Sequence, residues 1–262
     1  MLDLTSQTSD LIAKEGDNMI KAGSNSRISI FESCKLRAKL AYIDRIPEPE
    51  RPPLPNNKEY PNDRGSRVHD YAEFYVRGKH DKLIPELLNF APELKRLRDL
   101  YPSGNVMMED MWCFDDAWQS VGSREFDKIR FRAKLDVCIF YAGGRKAIVV
   151  DYKTGRRVGN EIKHAEQCQQ YQLCVFLRFP DVEEVITELW YTDQNELHTM
   201  KFTRAQGLRF LKGINQRNQR MLTAAEFPAN PSTHSCRWCP YKTGTLGKFG
   251  VRGTGHCDKN PI

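Results

Sequence analysis

Asp136, Asp151 and Lys153 fall in one stretch, RFRAKLDVCIFYAGGRKAIVVDYKTG, between Arg130 and Gly155. Two carboxylates set against each other with a lysine beside them are suited to holding a divalent metal. Whether they meet depends on the strands that carry them. Phe131, Ala133, Leu135, Val137 and Ile139 alternate with Arg130, Arg132, Lys134, Asp136 and Cys138, which predicts a strand with one apolar and one polar face. Residues 147–153 form a second, apolar run ending in charge. Gly143-Gly144 between the runs predicts a two-residue hairpin turn. That register sets Asp136 directly opposite Asp151, where like charges with Cβ atoms about 5 Å apart repel. Lys153, two residues past Asp151, points from the same face. A single bulge would slip the pairing.

A solvated face is the alternative, with the aspartates paired to Lys134 or Arg132. Ile148-Val149-Val150, directly before Asp151, instead predicts a strand buried on both faces, and a carboxylate at the end of such a strand needs a partner.

The rest of the chain must supply the frame. Its 262 residues are enough for one large domain or a domain with a small appendage. Hydrophobic residues at 40% and charged residues at 28% are ordinary for a globular protein. No run approaches the roughly 18 apolar residues of a membrane span. The opening MLDLTSQTSDLIAKEGDN is polar, unlike a signal peptide. The expected location is cytoplasmic, in a bacterial or phage-infected cell, neither secreted nor membrane-bound. The net charge of +6 biases the protein mildly toward polyanions. The basic residues gather near the hairpin: Lys128, Arg130, Arg132, Lys134, Arg145, Lys146, Lys153, Arg156 and Arg157.

Segment by segment, residues 1–28 read as a polar segment, 29–227 as the main domain and 228–262 as a cysteine-containing tail. A helix is expected from Ser29, with Glu32 completing a capping box. Prolines mark 47–61 as a loop. Residues 64–78 predict a helix carrying His69 and stopped by Gly78. Residues 82–101 predict a helix interrupted near Pro92, and 107–114 a short strand holding Glu109. After the hairpin come an amphipathic helix over 161–178, a strand over 185–191 and a helix over 203–226. The fold class is α/β, with helices flanking a sheet of four or five strands. Dinucleotide and P-loop fingerprints are absent.

His69, Glu109, Asp136, Asp151-Tyr152-Lys153, then Gln167 and Tyr171 four apart on one helical face, follow in that order. GSRVHDYAE, the Glu109 strand, KLDV, VVDYKTG and QCQQY resemble the PD-(D/E)xK nuclease superfamily, in its RecB-like exonuclease branch. Asp151 stands where many members have Glu. The resemblance implies a restriction-endonuclease-like core with a mixed central sheet. It implies Mg²⁺ or Mn²⁺ held by Asp136, Asp151, the Tyr152 carbonyl and His69. Lys153 would orient water or stabilise the transition state. Glu109 would support a second metal or position the water. Gln167 and Tyr171 would brace the site and touch the DNA backbone, and Arg156 and Arg157 would meet phosphates. Taken singly, His69 reads more readily as a structural histidine, and Arg156 and Arg157 equally as solvated turn residues.

Cys236-Arg-Trp-Cys239-Pro has the spacing of a metal-binding knuckle. With Cys257 and the distant Cys34 it resembles the iron–sulfur set of CRISPR-associated RecB-like and AddB-type nucleases, which implies a [4Fe–4S] staple between the N-terminal helix and the tail. Zinc held by Cys236, Cys239, Cys257 and His256 or His234 is the rival. Cys113, Cys138, Cys168 and Cys174 are expected as small buried hydrophobes.

The resemblance thus implies a metal-dependent DNA exonuclease acting on DNA ends or single strands, in recombination, repair or phage-type DNA metabolism. A homo-oligomer or a recombination partner protein would fit it. The alternatives are a non-catalytic, cluster-stabilised DNA-binding module and a structure-specific endonuclease.

Overall fold

The computed structural model describes residues 18–247 and 250–259. Residues 1–17 of the expected polar segment lie outside the described residues. In chain order the elements are α1 (Asn25–Ser33), α2 (Lys35–Tyr42), α3 (Pro61–Val76), α4 (Ala91–Leu100), β1 (Val106–Phe114), β2 (Ser120–Val121), β3 (Phe131–Tyr141), β4 (Lys146–Lys153), α5 (Glu161–Arg178), β5 (Glu184–Tyr191), β6 (Glu196–Thr203), α6 (Arg204–Leu208), α7 (Phe210–Leu222), α8 (Thr233–Arg237), β7 (Thr245–Leu246) and β8 (Val251–Arg252). They divide into two compact units, one of Lys58–Ile214 and the other of Met1–Asn57 with Asn215–Ile262. Among the described residues, no helix is long and apolar enough to cross a membrane.

The larger unit is built on a six-stranded mixed sheet in the order β2-β1-β3-β4-β5-β6. Every neighbouring pair is antiparallel except β4 and β5, which run parallel with α5 as the crossover. Helices flank this sheet, as expected of a restriction-endonuclease-like α/β core. β6 was not anticipated: its exposed, polar stretch ELHTMKFT lacks the apolar run that marks a buried strand. The single helix expected over 203–226 is therefore α6 and α7, preceded by β6, and Thr203 and Gln206 close a capping box at the α6 start.

One face of the sheet packs on α3 and α4. Val68, Ala72 and Val76 of α3 and Leu94 and Leu97 of α4 meet Val106, Met108, Val137, Ile139, Val150, Tyr152 and Trp190. The other face receives α5, where Cys168 packs on Leu189 and Tyr191. β4 lies between β3 and β5 and is covered from both sides, so Ile148-Val149-Val150 has no polar alternation. A fully buried Val or Leu in such a layer contributes about 1.5–3 kcal/mol.

The β3–β4 hairpin keeps the expected register, with Tyr141 opposite Lys146 and Val137 opposite Val150. Its turn is not the two-residue type. Four residues, 142–145, make the reversal, with Ala142, Gly143 and Gly144 all at positive φ (50°, 64° and 86°). Both glycines supply the left-handed backbone the turn requires. The ladder then stops at Val137–Val150, so Asp136 and Asp151 are not a cross-strand pair. The strands part there, and Asp136 Oδ2 fills the gap by accepting the Tyr152 backbone N–H at 2.9 Å.

A second expectation fails at the same place. β3 does not alternate throughout, because Leu135, Asp136, Val137, Cys138 and Ile139 are all buried. β1 explains why. Met108 pairs with Val137 and Asp110 with Leu135, but Glu109, opposite Asp136, has no partner in the ladder and sits at φ 53°. Met108 faces the α3–α4 core. Trp112, of the same parity, instead meets Phe179, which also meets Phe140. The side-chain phase of the strand reverses at Glu109.

In the smaller unit, α1 begins at Asn25 and not at Ser29, because Ser24 caps it by accepting the Arg27 N–H at 3.3 Å. Cys34 is extended (φ −159°, ψ 112°) and separates α1 from α2. The tail packs on α2: Leu36 N–H bonds the Pro228 carbonyl at 3.2 Å, and Leu40 packs with Cys239 and Tyr241.

Candidate metal centre and active site

His69, Glu109 and Asp136 each offer a ligand atom, all within 4.8 Å of one another. Three elements bring them there. α3 carries His69 beside the core residue Val68. The phase reversal in β1 turns Glu109 inward, and the parting of β3 from β4 leaves Asp136 facing the gap. His69 Nδ1 lies 3.2 Å from Asp136 Oδ1 and 4.0 Å from Glu109 Oε1. Its Nε2 is 3.0 Å from the Tyr152 carbonyl oxygen. Glu109 Oε1 is buried with no hydrogen-bond partner. An oxygen in that position is costly unless a cation or donor reaches it, so the donor set fits a hard divalent ion.

The electrostatics point the same way. Burial pulls the His69 imidazole down. The hydrogen bond to Asp136 and the charges of Asp136, Asp151 and Glu109 outweigh it and raise the ring to about 9. Burial lifts the Glu109 carboxyl above its usual range, against the Lys134 ammonium that lowers it, with Asp136 raising it further. Burial likewise raises Asp151, opposed by Lys153 and assisted by Asp136. Such a cluster favours added positive charge. Nε2–H donating to Tyr152 leaves Nδ1 as the histidine atom that turns toward the carboxylates.

Asp151 stands apart from this trio. Its Oδ2 is ion-paired with Lys153, and its Oδ1 accepts from Gln167 Nε2 and from the Tyr171 hydroxyl, both at 3.1 Å. Lys153 Nζ also donates to Gln167 Oε1 at 2.8 Å. Gln167 donates to the Tyr171 oxygen at 2.6 Å, so one turn of α5 grips both Asp151 and Lys153. The chain thus brings together every expected residue of the catalytic set, in two linked groups. Lys134 pairs with Glu109 at 2.6 Å, not with the aspartates. Arg156 is exposed in the loop after β4, while Arg157 lies 3.6 Å from Glu196.

Sequence reasoning passed over His164. It precedes Gln167 by three residues and Tyr171 by seven, so helical spacing places it on their face. Its Nδ1 is 2.7 Å from the Tyr191 hydroxyl. Burial first, and then the charges of Lys153 and Lys163, lower it to about 4.

In the smaller unit Cys34, Cys236, Cys239 and Cys257 all line one pocket, with Ser235 and Lys259. The Cys257 backbone is tied to the knuckle by its N–H to the Tyr241 carbonyl at 2.8 Å and by its carbonyl to Thr243 N–H at 3.1 Å. The Asn230 N–H lies 3.4 Å from Cys34 Sγ. None of the four is in a disulfide. His256 Nδ1 lies 2.8 Å from Thr254 Oγ1 instead. Cys113, Cys138, Cys168 and Cys174 are buried, as expected.

A mixed sheet that parts its strands over acidic residues, with a lysine two residues beyond the last, defines a nuclease-type core. The sequence profile of the PD-(D/E)XK nuclease superfamily matches residues 22–243, and the chain belongs to that superfamily. No curated protein matches it. Among solved structures, one titled "Crystal structure of SSO0001" is similar over 84% of this chain and 82% of that one, at 15% sequence identity and a TM-score of 0.39.

Proposed function

We propose that the protein is a metal-dependent DNA exonuclease of the RecB-like branch. The observation that carries this reading is that Asp136, which shares the trio with Glu109 and His69, accepts the backbone N–H of Tyr152, the residue between Asp151 and Lys153, whose side chains Gln167 and Tyr171 hold. A bound Mg²⁺ or Mn²⁺ would polarise a phosphate oxygen and acidify water. The chain's own groups do the rest. His69 Nδ1, Asp136 Oδ1 and Glu109 Oε1 would hold the cation. Gln167 fixes the Lys153 ammonium, so a positive donor waits where charge develops on phosphorus. Water adds to phosphorus, the P–O bond to the leaving nucleotide breaks, and the water's proton balances the departing oxygen. Tyr171 and Gln167 hold Asp151 in one rotamer, and Arg156 meets the phosphate backbone. Tyr152 contributes through its carbonyl, which accepts from His69.

In the smaller unit we propose a [4Fe–4S] cluster on Cys34, Cys236, Cys239 and Cys257. All four line one pocket, which supports this reading. Each thiolate there would bind its own iron. Zinc remains the rival occupant.

The test is cleavage of linear and circular single-stranded DNA with Mg²⁺ or Mn²⁺. An exonuclease degrades only the linear strand, and EDTA stops it. Cleavage of the circle makes the protein an endonuclease, and binding without cleavage under either metal leaves only a DNA-binding module.

A further inference from the structure

α5 lays two neighbouring rows of side chains over the sheet. Gln167 and Tyr171 lie over β4, where they hold Asp151 and Lys153. His164 and Cys168, also four apart, lie over β5. Cys168 packs on Leu189 and Tyr191, and His164 Nδ1 is 2.7 Å from the Tyr191 hydroxyl. Tyr191 is the parallel register partner of Lys153, so the two stand on adjacent strands about 4.8 Å apart with side chains on one face. β3, which carries Asp136, borders β4 on the side opposite β5. His164 therefore stands beside Lys153 on the side away from the metal trio, and the bond-breaking chemistry above leaves it idle.

The bond to Tyr191 fixes what the ring can offer. Tyr191 is buried, and its hydroxyl has no other partner among the described residues, so its hydrogen is satisfied when Nδ1 accepts it. Nε2 then carries the ring's N–H. That N–H has no acceptor among the described residues, and Nε2 is not one of the enclosed polar atoms there, so it opens to solvent. The ring also stays uncharged, because burial and then the charges of Lys153 and Lys163 lower it to about 4. A neutral donor in this place suits an anion that Lys153 already attracts. It adds a directed hydrogen bond without setting a second positive charge against the ammonium. A DNA strand whose scissile phosphate lies at Lys153 carries phosphates onward to either side, and on the β5 side His164 Nε2–H is a donor in its way.

We propose that His164 Nε2–H binds a non-bridging oxygen of the DNA phosphate adjoining the scissile one, on the β5 side of Lys153, with Tyr191 holding the ring in place. The proposal rests on the nuclease reading above. His164 is then a substrate-binding residue that sets the register of the strand, and it takes no part in breaking the bond.

The experiment places a methylphosphonate, in which methyl replaces one non-bridging oxygen, at each linkage flanking the first cleaved bond of a single-stranded oligonucleotide. KM and kcat for that first cut are read with the full chain and Mn²⁺. In the wild type the methyl group is expected to raise KM about tenfold at one flanking linkage. His164→Phe is expected to raise KM about tenfold on unmodified DNA at unchanged kcat. It shows no further penalty at that linkage and the wild-type response at the other. His164→Ala gives the same pattern, so the result does not depend on the larger ring being accommodated. His164→Gln, whose amide N–H replaces the Nε2 donor, restores most of the affinity. A His164→Phe or His164→Ala protein that keeps the wild-type penalty at both linkages, or that loses kcat at unchanged KM, overturns the proposal and leaves the nuclease reading standing. So does a wild type indifferent to the methyl group at both linkages. If the wild type cuts unmodified DNA under neither Mg²⁺ nor Mn²⁺, the nuclease reading itself falls, and this proposal with it.

Discussion

Glu109 stands opposite Asp136 at the one place where β1 and β3, otherwise paired from Val106–Ile139 to Phe114–Phe131, have no ladder contact. Glu109 takes a positive φ of 53° there, which a side-chain-bearing residue adopts at a cost of about 1–2 kcal/mol. The strain lies in the residue whose buried Oε1 faces His69, which is where stored strain serves a site best.

That strain is measurable. Glu109→Ala and Glu109→Gly both remove the carboxylate, but only glycine relaxes at positive φ. Glu109→Gly is expected to be more stable than Glu109→Ala by about 1 kcal/mol in urea unfolding, with both inactive. Equal stabilities would mean the backbone is not strained.

Gln167 touches Lys153, Asp151 and Tyr171 but stands outside the metal trio. Gln167→Leu keeps the volume and removes all three bonds. Cleavage should fall about 10–100-fold through kcat, with DNA affinity unchanged. A loss confined to KM would instead make Gln167 a substrate-binding residue.

His164 gives a pH dependence. Its folded value is depressed to about 4, by burial and then by Lys153 and Lys163, against an ordinary value of 6.5. Holding it neutral helps stability fully above pH 6.5, and that contribution is lost as the pH falls from 6.5 through 4, because the unfolded chain binds the proton first. Thermal unfolding should therefore drop by a few degrees more across that window in the wild type than in His164→Gln. Parallel curves would remove His164 from the explanation.

Anaerobically purified protein is expected to carry iron and acid-labile sulfide in equal amounts, and Cys34→Ser to lose both. Zinc at one per chain without sulfide would reject the cluster.

Much of this was legible in the sequence, because the dominant signals are local. Ile148-Val149-Val150 reads as a buried strand in any context, and Gly143-Gly144 centres the hairpin, so its register came out even though the turn is four residues long. Helical spacing alone put Gln167 and Tyr171 on one face. The failures share a cause. Alternation assumes a regular strand, and nothing in MMEDMWCF announces that Glu109 takes a positive φ and reverses the phase. The parting of Asp136 from Asp151 depends on the Tyr152 N–H, a backbone group with no signature in the sequence. The Lys134–Glu109 pair joins two strands by side chains, and β6 is too polar to stand out. His164 was within reach of the spacing argument that found Gln167.

The central claim is that Lys153 and its neighbours cleave DNA. The most direct test is degradation of end-labelled linear DNA with Mg²⁺ or Mn²⁺, comparing the wild type with Lys153→Ala. The wild type should release nucleotides from one end and stop on EDTA, while Lys153→Ala binds the DNA and cleaves it about 10²–10³-fold more slowly. Equal degradation by both proteins, or none by either under both metals, would contradict the assignment.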